Sequence, residues 1–251
     1  GNQHASLWSG SAASWVDLNP AGASYSEGYG MGDGQQVGRA SVTGVGICAS
    51  LWTGSAASWI NLRPIAFNSE AYGADNGQQV GYAVVPNPLQ NHAALWSGTA
   101  ASFVDLHPAG AISSFAYDVS AGVQAGQAHI GGVWHAGAWF GTPGSWVDLH
   151  ALLTNFYDSY ARGVWNDGNF IYVVGYGYNQ TTNRNEAIMW VRAVPAPCAD
   201  VSGNGVVDFD DINSVLANWG GAGPAGDANN DGVVNFDDIT IVLAQWGANC
   251  P

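Results

Sequence analysis

Apolar positions between residues 4 and 193 fall in short runs, each separated from the next by Gly, Asn, Asp or Ser. Runs of this kind, bounded by turn residues, read as β-strands. The pattern repeats. His4-Ala-Ser-Leu-Trp8 returns as Cys48-Ala-Ser-Leu-Trp52, His92-Ala-Ala-Leu-Trp96 and His135-Ala-Gly-Ala-Trp139, with a looser copy at Glu186-Ala-Ile-Met-Trp190; the tryptophans lie 44, 44, 43 and 51 residues apart. Seven residues after each of the first four comes a second aromatic: Trp15, Trp59, Phe103 and Trp146. Two further on stands Asp17, Asn61, Asp105 or Asp148, each followed by Leu. A second phrase precedes each later copy: Gly28-Tyr-Gly with Gln35-Gln-Val-Gly38, Ala71-Tyr-Gly with Gln78-Gln-Val-Gly81, Ala116-Tyr-Asp with Val123-Gln-Ala-Gly126, and Arg162-Gly-Val with Val174-Gly175. Asp33-Gly34, Asn76-Gly77 and Asp167-Gly168 carry the two-residue hairpin signal, since both central residues accept positive φ.

Each repeat therefore holds four strands, which we label a to d. A small sheet cannot bury both faces alone, so a unit of roughly 40–50 residues with four strands reads as a propeller blade stacked against its neighbours. The expected fold is mainly β: a β-propeller of four-stranded blades, about four to five repeats, followed by a small α-helical domain. The repeated Trp is the expected packing residue between blades, with an N–H that needs an acceptor. The chain opens on c and d, runs through three full sets and ends on a, b and c near Ala193, which gives seventeen strand candidates. A ring closes if the first two strands complete the blade begun by the last copy, since closure removes free edges; the surplus c strand leaves the alternative of an open arc with further repeats upstream. The chain opens inside the pattern and reads as a mature or truncated product. With Gln35-Gln-Val-Gly38 and His4-Ala-Ser-Leu-Trp8 as its motifs, the stretch 3–193 resembles the extracellular HAF-type repeat proteins. That resemblance implies secretion and a propeller-like fold, and no activity.

The pattern changes after Pro195-Ala-Pro197, a stiff linker. We place the repeat domain at 1–194, the linker at 195–199 and a second domain at 200–251. In that domain Asp200, Ser202, Asn204, Val206 (by its carbonyl), Asp208 and Asp211 occupy positions 1, 3, 5, 7, 9 and 12 of a twelve-residue loop, with Gly205 at position 6. Asp227, Asn229, Asp231, Val233, Asn235 and Asp238, with Gly232, repeat the spacing 27 residues later. This is the spacing of an EF-hand calcium loop, and hard oxygen donors suit Ca²⁺, so two ions are expected. Each loop leads into an amphipathic helix. The first is expected to bury Ile212, Val215, Leu216 and Trp219, the second Ile239, Val242, Leu243 and Trp246, with Gly220 and Gly247 as stops. No helix precedes either loop, so these are half EF-hands.

Residues 200–247 resemble a type I dockerin. The resemblance implies calcium-dependent folding and docking to a cohesin-like protein partner. Loop positions 10 and 11 depart from the common small hydroxyl residues, holding Phe209-Asp210 and Phe236-Asp237; the usual Lys-Arg pair is replaced by Leu216-Ala217 and Leu243-Ala244. The sequence is more similar to the calcium repeats that end many secreted planctomycete proteins, associated with anchoring or sorting. Cys198 and Cys250 bracket the domain, whose ends lie close in a paired half-EF-hand fold, and a disulfide is expected to clasp it. Cys48 stands where other repeats hold His and reads as a small buried residue.

Charge narrows the function. The 251 residues carry 5 Lys plus Arg against 19 Asp plus Glu, a net −14, and 200–251 supply eight Asp and no Arg. A nucleic-acid binder needs the opposite sign, and an anionic membrane surface would repel this chain. No run is long enough to span a membrane. Three constellations invite catalytic or ligand readings. His4, Cys48, His92 and His135 belong to different blades and read as partners of local turns rather than a metal ring. Asp17, Asp105 and Asp148 are repeat equivalents, with Asn61 in the fourth place, and read as turn caps. Trp and Tyr can stack on sugar rings, so a glycan ligand is kept open, though core packing explains most of them. There is no nucleophile elbow, zinc-protease helix, phosphate cradle or isolated acid–base pair. The expectation is a secreted or cell-surface, non-enzymatic binding or scaffold protein that its calcium module attaches to a protein, cohesin-like or a second copy. The alternatives are a structural subunit of an extracellular polymer and a carbohydrate-active enzyme carrying a dockerin.

Overall fold

The computed structural model describes residues 3–65, 67–194 and 198–250; the linker assigned to Pro195-Ala-Pro197 lies outside them. The chain divides into two compact units, Gly1–Ala193 and Val194–Pro251. The first holds seventeen strands among the described residues. They are β1 (Ser6–Leu7), β2 (Val16–Asp17), β3 (Ala23–Gly32), β4 (Gln35–Val42), β5 (Gly46–Trp52), β6 (Ile60–Asn61), β7 (Ser69–Asp75), β8 (Gln78–Val85), β9 (Gln90–Trp96), β10 (Val104–Asp105), β11 (Ser113–Ser120), β12 (Val123–Ile130), β13 (Val133–Trp139), β14 (Val147–Asp148), β15 (Phe156–Asn166), β16 (Phe170–Asn179) and β17 (Arg184–Ala193). They form antiparallel sheets in chain order: β1-β2, β3 to β6, β7 to β10, β11 to β14, and β15 to β17.

Each sheet is an up-and-down meander because its connections are short. Asp33-Gly34 and Asn76-Gly77 make the first two a–b hairpins at positive φ, as the sequence implies. Ala121-Gly122 makes the third, with Ala121 at φ 44°, without the usual Asn or Asp. Asp167 is not at positive φ: β15 and β16 are joined by a three-residue loop, 167–169, whose Asp167 carboxylate accepts the N–H groups of Asn169 and Phe170. The extra residue carries the reversal, so a two-residue turn is not needed. In β4, β8, β12 and β16 the repeated glycine lies against the a strand. A Cβ on Gly38, Gly81, Gly126 or Gly175 would stand 1.8–1.9 Å from a backbone oxygen of that strand, and no side chain can be accommodated.

Adjacent sheets bury their Trp face to face. Trp52, Trp96 and Trp139 are fully buried, each against the sheet before it: Trp96 among Leu51 and Leu62, Trp139 among Leu95 and Leu106. The expected N–H acceptor is absent from all three, since Nε1 of Trp52, Trp96 and Trp139 has no hydrogen-bond partner. Close apolar packing on the indole leaves no polar atom in reach. In the last copy Trp190 Nε1 is satisfied, by the Leu149 carbonyl at 3.1 Å. Four buried serines stitch the sheets together. Ser26, Ser69, Ser114 and Ser159 accept the N–H groups of Ala5, Ala49, Ala93 and Ala136 in the preceding sheet at 2.8–3.0 Å.

The ring is not closed by β1 and β2. These two strands pair with each other and pack beside Trp52. Trp8 is 57% exposed and Met189 of β17 63% exposed. Both end sheets carry their own c strand, so β2 is already engaged by β1 and does not serve as the fourth strand of the last sheet.

In the second unit α1 (Phe209–Ala217) and α2 (Phe236–Ala244) follow the two loops. Val207, Val215, Val234 and Val242 form its core with Ala199 and Ala228. Backbone bonds tie each loop to the segment after the other helix: Val207 N–H to the Ala248 carbonyl, and Gly220 N–H to the Val234 carbonyl. Cys198 and Cys250 form the expected disulfide. Four of the expected core residues are not in this core: Leu216, Trp219, Leu243 and Trp246 are about half exposed, while Ile212 and Ile239 pack on it. Two nine-residue helices meet along one narrow stripe, and Leu216 and Leu243 lie a further 100° round from Val215 and Val242. No helix among the described residues is long and apolar enough to cross a membrane.

Candidate metal centre

The two twelve-residue loops share their backbone bonds to the carboxylates at positions 1 and 12. In the first, Gly205 at φ 91° turns the chain so that its N–H reaches Asp200 Oδ2 at 2.7 Å, while Gly203 and Asn204 donate to Oδ1. The Ser202 hydroxyl lies 3.1 Å from the same Oδ1. Desolvation opposes the charge on Asp200, but the donors Gly205, Ser202, Asn204 and Gly203 together outweigh it and hold this carboxyl below the usual range. In the second loop Gly232, at φ 88°, donates to Asp227 Oδ2 and Asp231 N–H to Oδ1. Asn229 Nδ2 donates to Asp231 Oδ2 at 3.0 Å, and the Val233 carbonyl accepts from Asn235 Nδ2 at 3.2 Å.

Positions 9 and 12 are also helix caps. Asp208 and Asn235 are N-caps that accept the N–H of Asp210 and Asp237. Asp211 and Asp238 close the capping boxes and reach back across the loop: Asp211 accepts Ser202 N–H and Asp208 N–H, and Asp238 accepts Asn229 N–H and Asn235 N–H, at 2.7–3.1 Å. Both carboxylates are fully buried. Loop and helix are thus one cooperative element in each copy.

Calcium is the group this donor set implies. Every ligand position offers oxygen, from a side chain or, at Val206 and Val233, from the backbone carbonyl, and residues 198–250 contain no Lys, Arg or His to neutralise the eight carboxylates. By donor chemistry the residues fit a hard divalent cation. Among the described residues the carboxylates are not gathered: no group of three or more His, Cys, Asp or Glu is placed to hold a metal. They are spread along the loops on backbone amides.

In the repeats, the His–Asp constellations resolve into pairs within single sheets. His4, His92 and His135 place Nδ1 2.7–2.8 Å from Asp17, Asp105 and Asp148. The other carboxylate oxygen caps the next turn, taking the N–H of Asn19, His107 or His150. Where Cys48 replaces His, Asn61 replaces Asp and still caps Arg63 N–H; Cys48 is buried.

The strand phrase Gly-Tyr-Gly held a feature that sequence reasoning passed over. Its central residue occupies one register on successive a strands: Tyr29, Tyr72, Tyr117 and Arg162. The structure stacks them in a continuous row, with ring centroids 5.5 and 5.3 Å apart and the Arg162 guanidinium 4.3 Å over Tyr117. Beside the row Arg39 bridges Glu27 and Glu70 at 2.9 and 2.7 Å. The recurrence of Tyr after Ser-x-Gly/Ala is the signal that could have found the row.

No family model matches this sequence, and no curated protein matches it. Among solved structures, the chain is similar to a TolB-type protein from Agrobacterium tumefaciens, at 9% identity and a TM-score of 0.50, over 76% of this chain and 90% of that one. The tricorn protease shares 13% identity over 72% of this chain and 19% of its own, at a TM-score of 0.38. The first likeness concerns the fold alone. With the run of antiparallel sheets, it places this mainly β protein among β-propeller-like folds.

Proposed function

We propose that this is a secreted or cell-surface, non-enzymatic binding or scaffold protein, and that its second unit is a dockerin-like module holding two Ca²⁺ ions. Asp200, Ser202, Asn204, the Val206 carbonyl, Asp208 and Asp211 would hold one ion; Asp227, Asn229, Asp231, the Val233 carbonyl, Asn235 and Asp238 would hold the other. Calcium supplies the positive charge that eight carboxylates without a basic neighbour require. The observation that carries the reading is the buried position-12 carboxylate in each loop, which couples the ligand set to the first turn of α1 or α2. The disulfide is compatible with an oxidising exterior. The module would attach the repeats through its half-exposed Leu216, Trp219, Leu243 and Trp246, to a protein partner that is cohesin-like or a second copy. Calorimetric titration of the EDTA-treated chain should give two Ca²⁺ per chain, with a gain of helical circular dichroism. Asp211→Ala should reduce this to one ion. A chain that binds no Ca²⁺, or one whose helicity and protease resistance ignore it, refutes the reading.

A further inference from the structure

The last sheet differs from the three complete ones by a missing part, and the structure keeps the place for that part open. In each complete sheet a d strand lies beside the c strand and brings the second aromatic next to the first. Trp59 sits with Trp52 against Leu7, Val16 and Leu18. Phe103 sits with Trp96 against Leu51 and Leu62, and Trp146 with Trp139 against Leu95, Val104 and Leu106. The equivalent residues at the last junction are Trp190, Ala138, Val147 and Leu149. They line an apolar cavity of about 230 Å³ together with Phe140 and Leu152, and among the described residues no aromatic from a d strand enters it. β17, which carries Trp190, has β16 on one side and no strand on the other among the described residues. The anchoring of the d segment is missing too. Gln36, Gln79 and Gln124 each accept the N–H of the glycine in their own c–d turn at 2.8 Å, whereas Val173 holds that register opposite Trp190.

We propose that the free edge of β17 and the cavity beside Trp190 form a docking site for an extended d-type segment, an aromatic residue followed by Val-Asp-Leu. The strand adds to the edge through its backbone while the aromatic fills the cavity. The occupant is inferred from the three junctions in this same molecule where it is already seated. One substitution sets its specificity. The position two before the Trp is small in the complete sheets, Ser50, Ala94 and Gly137; a Cβ on Gly137 would lie 2.0 Å from the Trp146 ring. Here the position is Ile188, half-buried. The ring admitted over Ile188 is therefore phenyl rather than indole. The inference rests on residues of the repeat unit alone.

The test uses the full chain with Ca²⁺ and two labelled peptides copied from its own d segments, residues 97–107 with Phe103 and residues 140–150 with Trp146. Fluorescence anisotropy should show saturable binding of the Phe peptide, and weaker binding of the Trp peptide by about fivefold or more. Ile188→Gly should raise the affinity of the Trp peptide. Leu152→Glu, at the exposed lip of the cavity, should weaken both peptides about tenfold without altering the fold. The proposal is overturned if neither peptide binds, if a peptide with Phe103→Ser binds equally well, or if Leu152→Glu has no effect. It also fails if sedimentation shows self-association of the chain that excess Phe peptide does not compete, because a second copy then occupies the edge.

Discussion

His107 and His150 show how a repeat builds a titration into its turns. His107 Nε2 donates to the Ala111 carbonyl at 3.0 Å, which leaves Nδ1 to accept from the Ser114 hydroxyl at 2.8 Å. That hydroxyl in turn accepts Ala93 N–H from the neighbouring sheet. A second proton on the ring would break this chain of bonds. Burial, then the stacked His92 ring 3.8 Å away, lowers the His107 pKa; burial, then His135, lowers that of His150. The unfolded chain takes protons near pH 6.5 while the folded rings refuse them. Stability from this source is therefore complete above that pH and declines as pH falls towards the folded pKa values. The thermal midpoint of the first unit should drop between pH 7 and 5 at constant calcium. The double variant His107→Gln/His150→Gln should flatten that slope. An unchanged slope would remove these two rings as the cause.

At the scale of the element, one sequence position has two energetic values. Trp96 on β9 is completely buried between sheets, whereas Trp8 on the edge of the arc is largely solvent-exposed. Trp96→Ala should cost about 3–5 kcal/mol in denaturant unfolding, through lost burial and the cavity left behind. Trp8→Ala should cost less than about 1 kcal/mol. Equal effects would mean that Trp96 does not hold the junction. The same contrast governs α1 and α2. Their 3.6-residue periodicity was legible, and Val215 and Val242 occupy the core it implies. Yet Leu216, Trp219, Leu243 and Trp246 remain half exposed, because apolar periodicity identifies a face without saying how wide the partner is.

At the scale of the molecule, the chain joins a stack of sheets held by Trp and Ser contacts to a small unit held by two loops, a narrow core and one disulfide. A core that small depends on covalent help. By the loop-closure account, Cys198–Cys250 closes a loop across a sequence separation of 52 and contributes about 4 kcal/mol. Double substitution to Ser should lower the unfolding transition of the second unit, followed by Trp219 and Trp246 fluorescence or by proteolysis. The transition of the repeat unit should stay where it was. A shift in both would mean that the two units unfold as one. This arrangement suits the proposed division of labour, with the repeats as the body and the loops as a calcium-dependent attachment.

Sequence alone determined the number and order of strands, the position of each Trp junction, the twelve-residue spacing of the loops and the pairing of Cys198 with Cys250. The strands, junctions and loops follow from local rules of alternation, turn chemistry and oxygen-donor spacing, which neighbouring residues satisfy without reference to the rest of the chain; the disulfide follows from two paired loops that bring the ends of their unit together. Only the tertiary structure decided which strand meets which across a gap. It aligned Tyr29, Tyr72, Tyr117 and Arg162 into one row and joined His to Asp within a sheet. It also left the Trp52, Trp96 and Trp139 N–H groups without acceptors, and left an aromatic-sized cavity beside Trp190. Those outcomes depend on packing between residues tens of positions apart, where shape and close approach outrank local preference.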